Sequence, residues 1–209
     1  MQPINLKHEG ILCVPKQEAF DMFCRDAVIE PCGVLGEMSL FRFPGTNTLR
    51  HEPFYAIVGA DDTITIQSAL HAVIAAGALT VIHLGYAPLR EPTIAAGQLL
   101  VVVSVECDDG TTLSATPGMV RKLKNRLANH GLDGRLTQLS ESPMSQGVVG
   151  DALISTVFQT MQSHGLPAGG LFVVDAHCPG EDLTESDEDV WASLYPIFAE
   201  ILGRAAHYR

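Results

Sequence analysis

Residues 63–113 constrain the fold more than any other part of the chain. A helix, a strand, a loop and a second strand follow one another there without a break. Ile66, Ala69, Leu70, Val73 and Ile74 recur at helical spacing and predict a helix with one face turned to a core. After Ala75-Ala76-Gly77, the run Thr80-Val81-Ile82-His83-Leu84-Gly85 reads as a short strand. Ile94-Ala95-Ala96-Gly97 then turns the chain into a longer strand over 98–107, closed by Asp108-Asp109-Gly110. A strand that ends in Gly85 before an open loop is where α/β proteins place ligands.

The flanking segments continue the alternation. Residues 11–14 predict a strand and 16–26 a helix; 33–43 predict one or two strands, followed by a Pro44-Gly45-Thr46-Asn47 turn. A buried strand is expected over 54–59. Pro117 suits the first turn of a helix carrying Val120, Leu123 and Leu127 inward, with Arg121, Lys122, Lys124 and Arg126 as its wet face. A strand over 135–139 precedes a helix over 151–163, stopped by His164-Gly165 and Pro167. The apolar run 170–174 reads as a strand buried on both faces. A last helix is expected over 190–204, with Pro196 either kinking it or marking its true start. The pattern predicts a single α/β domain over 1–209, a three-layer sandwich around a mostly parallel or mixed sheet.

Composition narrows the partners. A formal net charge of −11 argues against nucleic acid and anionic membranes as ligands. Part of that charge lies in the run 181–189, expected to be a solvated loop. No secretory leader and no long uncharged apolar segment is legible, and the five cysteines show no CxxC spacing. Free thiols in a cytoplasmic setting are the simplest expectation.

Several local phrases, in order, resemble the nucleoside phosphorylase superfamily, in particular the uridine and bacterial-type purine nucleoside phosphorylases. Residues 77–85 look like that family's helix end and central strand, and 94–101 like its following phrase. Asp109-Gly110-Thr111-Thr112 and Ser163-His164-Gly165-Leu166-Pro167 with Val173-Val174-Asp175 resemble later scaffold phrases. The resemblance spans roughly 54–203 and implies a nucleoside phosphorylase-like fold. It implies a glycosyltransferase that cleaves the N-glycosidic bond of a nucleoside, with phosphate as co-substrate. The alternatives are a hydrolytic nucleosidase and a non-catalytic binding or assembly relative. It also implies a homo-oligomer and no organic cofactor.

Cleavage of an N-glycosidic bond needs an anion cradle, a carboxylate on the ribose hydroxyls and a group that neutralises the departing base. Here Val14-Pro15-Lys16-Gln17-Glu18 stands where the family has its first phosphate loop, and Gly59-Ala60-Asp61-Asp62-Thr63 replaces its second glycine-rich turn. Two carboxylates there repel phosphate. Ala152-Leu153 occupies the place of the ribose-binding Met-Glu, with Asp151 nearby, and Pro143 cannot supply the aromatic stacking found at that place in the family. Asp175 aligns with the Asp that protonates the base in purine-specific members and is the expected general acid. Its plainer role is to cap the following turn. His83, Gly85, Tyr86, Arg50, His51, Asp151 and His177 are the expected substrate-binding residues. Asp175, His177 and Cys178 lack a partner motif, so no metal set is read.

Overall fold

The computed structural model describes residue 6 and residues 10–44, 53–60, 62–88, 94–141, 148–149, 153–175 and 185–203; for Pro88, Val149, Asp175 and residues 185–188 it describes only the backbone. In chain order the elements are β1 (Gly10–Val14), α1 (Gln17–Phe23), β2 (Glu30–Leu35), β3 (Met38–Phe43), β4 (Phe54–Val58) and α2 (Thr63–Ala75). Next come β5 (Thr80–Pro88), β6 (Leu99–Glu106), β7 (Thr112–Ser114), α3 (Pro117–Asn129), β8 (Gly134–Ser140) and β9 (Val148–Val149). The chain continues as α4 (Leu153–Ser163), β10 (Ala168–Asp175), α5 (Glu185–Ser193) and α6 (Tyr195–Leu202).

The strands form one mixed sheet in the order β2-β3-β4-β1-β5-β10-β6-β8-β9, with β7 paired to β6. β4, β1, β5 and β10 run parallel, while β6 lies antiparallel to β10. The first residues complete the sheet: β1 sits between β4 and β5 at its centre. All five β1 positions are buried, as the both-faces-covered environment of a parallel sheet requires. A bulge between Val102 and Ser104 bends β6, and β9 comes back to lie near β5, so the sheet curls around α4.

Side chains alternate between two cores, and the helices sort accordingly. Val81 and Ala87 of β5 face one core with α2 and α4; Ile82 and Leu84 face the other with α1, α3, α5 and α6. The stripe Ile66, Ala69, Leu70 and Val73 is buried against the first core, with Ile74 partly buried beside it. The second core holds an aromatic group that ties β3 and β4 to α1 and α6. Phe43 stacks on Phe54 at 4.4 Å, and Phe23 meets Phe43 and Phe198 edge-on at 5.7 and 5.6 Å.

Four expectations need correction. β5 does not stop at Gly85 but runs on to Pro88, because β10 pairs with it along its whole outer half. The acidic run is not all loop: from Glu185 it forms α5, and the exposed Asp189 on that helix pairs with Arg25 at 2.9 Å. One terminal helix over 190–204 is in fact two, broken at Leu194, with Pro196 in the first turn of α6 where its missing N–H costs nothing. The basic residues of α3 are not simply its wet face. Lys122 Nζ donates to the Ile201 carbonyl, Lys124 Nζ to the Gly134 carbonyl, and Arg126 pairs with Glu200 at 2.8 Å. Their aliphatic stems cross the helix edge and dock it on α6 and β8.

At Gly10 the end of α6 packs tightly against β1. A Cβ at this position would lie 2.9 Å from the Leu202 Cα, a backbone atom that cannot swing aside. Gly10→Ala is expected to lower unfolding stability by about 1–3 kcal/mol in urea titration, the range of an overpacked core. An unchanged midpoint would mean that α6 yields freely.

Candidate functional site at the carboxyl edge of the parallel strands

The chain leaves β1 through α1 on one face of the sheet and leaves β4 through α2 on the other. Divergent connections from adjacent parallel strands open a crevice beyond their carboxyl ends, and that is where α/β folds bind ligands. Two backbone bonds fix this crevice: Gly59 N–H donates to the Val14 carbonyl at 3.3 Å and Ala60 N–H to the Pro15 carbonyl at 3.0 Å. Gly59 holds φ at +84°, a conformation that favours glycine and lets the chain turn away from β4.

Asp62 then occupies the amino end of α2. Its carboxylate accepts from Thr65 N–H at 2.8 Å and from Thr65 Oγ1 at 3.0 Å. Those hydrogen bonds hold the Asp62 carboxyl below its ordinary range, so it stays ionised. The position that could receive an external anion is thus filled by the chain's own negative charge.

Along the edge, β5 and β10 reach their ends together, with Asp175 in register with Pro88. The turn before β6 is fastened there: Gly97 N–H donates to the Val174 carbonyl and Val174 N–H to the Gln98 carbonyl. Gly85 is buried and in register with Phe172. Tyr86 is half-buried and meets Trp191 of α5 edge-on at 4.8 Å, so α5 covers this end of the second core.

His83 and Tyr86 stand three residues apart on one strand and therefore project to opposite faces. His83 is fully buried on the α2–α4 face, in register with Cys13 and Gly170, and its ring stacks on Phe172 at 5.4 Å. The structure thus groups Gly85, Tyr86 and the end of β10, and sets His83 in packed core. Leu153, at the first position of α4, is also buried in that core and brings an apolar side chain where the resembled family has a carboxylate. Arg50, His51, Asp151, His177 and Pro143 lie outside the described residues.

Sequence reading did not anticipate Trp191 and Gly97 as parts of this edge. The signal for Gly97 was its place after Ala95-Ala96; Trp191 offered only helical periodicity. Three of the described thiols are held toward the protonated form. Burial, with help from the Asp21 charge, pushes Cys24 up to about 12. Cys32 and Cys107 are also raised, burial again leading. The four described cysteines, Cys13, Cys24, Cys32 and Cys107, are unbridged.

Two cavities lie elsewhere among the described residues. Cavities of about 500 and 560 Å³ flank the first half of α3 and share Arg121 and Asn125. The larger touches Thr80 and Pro167, at the amino ends of β5 and β10, opposite the crevice. Among the described residues neither cavity is lined by a carboxylate or a histidine, so neither offers the proton donor that glycosidic chemistry needs. No described helix is long and apolar enough to cross a membrane.

Comparison with solved structures identifies the fold. Purine nucleoside phosphorylase from Toxoplasma gondii, solved in complex with immucillin-H, superposes with a TM-score of 0.76 at 14% identity, covering 100% of this chain and 95% of that one. A P. knowlesi homologue of the P. falciparum PNP matches with the same score, identity and coverage. A futalosine hydrolase mutant of Helicobacter pylori matches with a TM-score of 0.69 at 12% identity, over 92% of this chain and 98% of that one. No protein-family model and no curated protein matches the chain. The chain therefore has the nucleoside phosphorylase-like fold, at very low sequence identity, and its described amino-terminal strand β1 takes part in the sheet.

The Asp62 cap makes a pH-dependent prediction. A carboxyl held below its ordinary pKa stabilises the fold above the unfolded-state value and loses that contribution as pH falls through the folded value. Asp62→Ala is expected to lower the thermal midpoint at neutral pH, with the deficit shrinking on acidification below the ordinary carboxylate range. A deficit that stays constant with pH would show that the ionised carboxylate is not what caps α2.

Proposed function

We propose that this chain binds a nucleoside at the carboxyl edge of β1, β4, β5 and β10 and cleaves its N-glycosidic bond, as a glycosyltransferase of the phosphorylase type. The observation that carries the reading is the full-length fold match to a purine nucleoside phosphorylase solved with immucillin-H. In this reading Asp175, at the end of β10, donates a proton to the departing base while an oxygen nucleophile attacks the anomeric carbon. Gly85 and Tyr86 form the floor beneath the ligand. Arg50, His51, Asp151 and His177 complete its binding groups, while His83 stays in the packed core beneath. A homo-oligomeric, cytoplasmic protein without an organic cofactor belongs to the same proposal.

A second reading replaces phosphate with water as the acceptor. Asp62 favours it, because an ionised carboxylate at the α2 amino end opposes a phosphate dianion there. The likeness to a futalosine hydrolase is compatible with it.

Chromatography of a purine and pyrimidine nucleoside panel, with and without phosphate, separates these readings. Base release only with phosphate supports phosphorolysis, and release without it supports hydrolysis. No release and no thermal shift with any nucleoside would overturn both and leave a non-catalytic scaffold. For any substrate found, Asp175→Asn is expected to cut turnover by about 10²–10⁴-fold, the usual worth of a general acid. Unchanged turnover removes Asp175 from that role.

A further inference from the structure

At the amino end of the first core, far from the crevice, two imidazoles from different helices meet. His71 lies on α2 and His164 directly follows α4, and both are exposed. His164 Nε2 is 3.3 Å from His71 Nδ1, and the rings sit edge to face with centroids 5.3 Å apart. One explanation is a single N–H···N bond between two neutral rings, but 3.3 Å is long for such a bond.

The same spacing also fits another partner. Two imidazole nitrogens bound to one tetrahedral zinc ion at about 2.0–2.1 Å stand about 3.3 Å apart, with ring centres about 5 Å apart. Both distances are therefore already those of adjacent ligands. We propose that His71 and His164 form a site for a borderline divalent metal ion, with zinc as the reference case.

The backbone under both rings is fixed, as such a site requires. His71 is held within the hydrogen-bonded body of α2. His164 sits in a closed helix end, where His164 N–H and Leu166 N–H donate to the Met161 carbonyl and Gly165 N–H to the Gln162 carbonyl. Gly165 takes φ +65° to make that turn. Among the described residues no third His, Cys, Asp or Glu joins them, so water or a group from another molecule completes the coordination sphere. The bound ion would clamp α2 to α4 across the first core, and α2 carries Asp62 at its other end.

Zinc titration of the intact protein, followed by calorimetry, thermal unfolding and histidine ring NMR, tests the proposal. The expected result is one ion that moves the His71 and His164 resonances together and raises the thermal midpoint. His71→Ala and His164→Ala should each weaken that binding by more than about tenfold and abolish the thermal rise, since two ligands act as one site. Both side chains are exposed, so either variant should fold. Zinc that leaves both ring resonances in place, or a thermal rise that survives in both variants, would overturn the proposal.

Discussion

Four parallel strands buried on both faces impose the remainder of this architecture. β4, β1, β5 and β10 can hydrogen-bond only to one another and to their antiparallel neighbours, and neither face of that set can be left to water. Each strand must therefore return through a connection that covers one face or the other. α1 and α2 leave adjacent strands in opposite directions, and the crevice between them is a by-product of that division. The helices are then fixed by what they cover: α4 by the curl of the sheet around it, α6 by its contact with Gly10.

The same scaffold has been fitted here with unusual edge chemistry. A helix amino end at the carboxyl edge is a natural anion receptor, yet Asp62 closes this one from within. Leu153 is packed as core, and His83 is stacked on Phe172 rather than presented to the crevice. What remains along the described edge is a backbone-rich floor: Gly85, Gly97, the paired ends of β5 and β10, and the half-buried Tyr86 braced by Trp191. Such a floor can position a flat ligand by shape and backbone hydrogen bonds. Side chains that act on it have to come from other segments.

Most of the fold was legible because its elements have strong local periods. The α2 stripe, the apolar β10 run and the Pro117 helix start are each written within a dozen residues, and the structure places them as read. Elements defined by distant partners were not legible. β5 extends past Gly85 only because β10 pairs with it, and the two residues of β9 are a strand only beside β8. α5 was hidden by its own charge: residues 185–189 read as solvated loop, while the helix is anchored by Trp191 further on. The candidate site was less legible still. The sequence reading ended β5 at Gly85 and left Tyr86 in a loop, whereas the structure puts His83 and Tyr86 on one strand whose alternation sends them to opposite cores. Which core would be closed to ligand could not be read from one sequence.

Cys13 gives the fold a built-in reporter. It lies fully buried on β1, with strands on both sides and helices over both faces, while Cys32 is exposed on the edge strand β2. A thiol at the centre of the sheet meets an alkylating reagent only when the central strands come apart. The labelling rate of Cys13 relative to Cys32 therefore times the opening of the whole domain rather than the fraying of its margins.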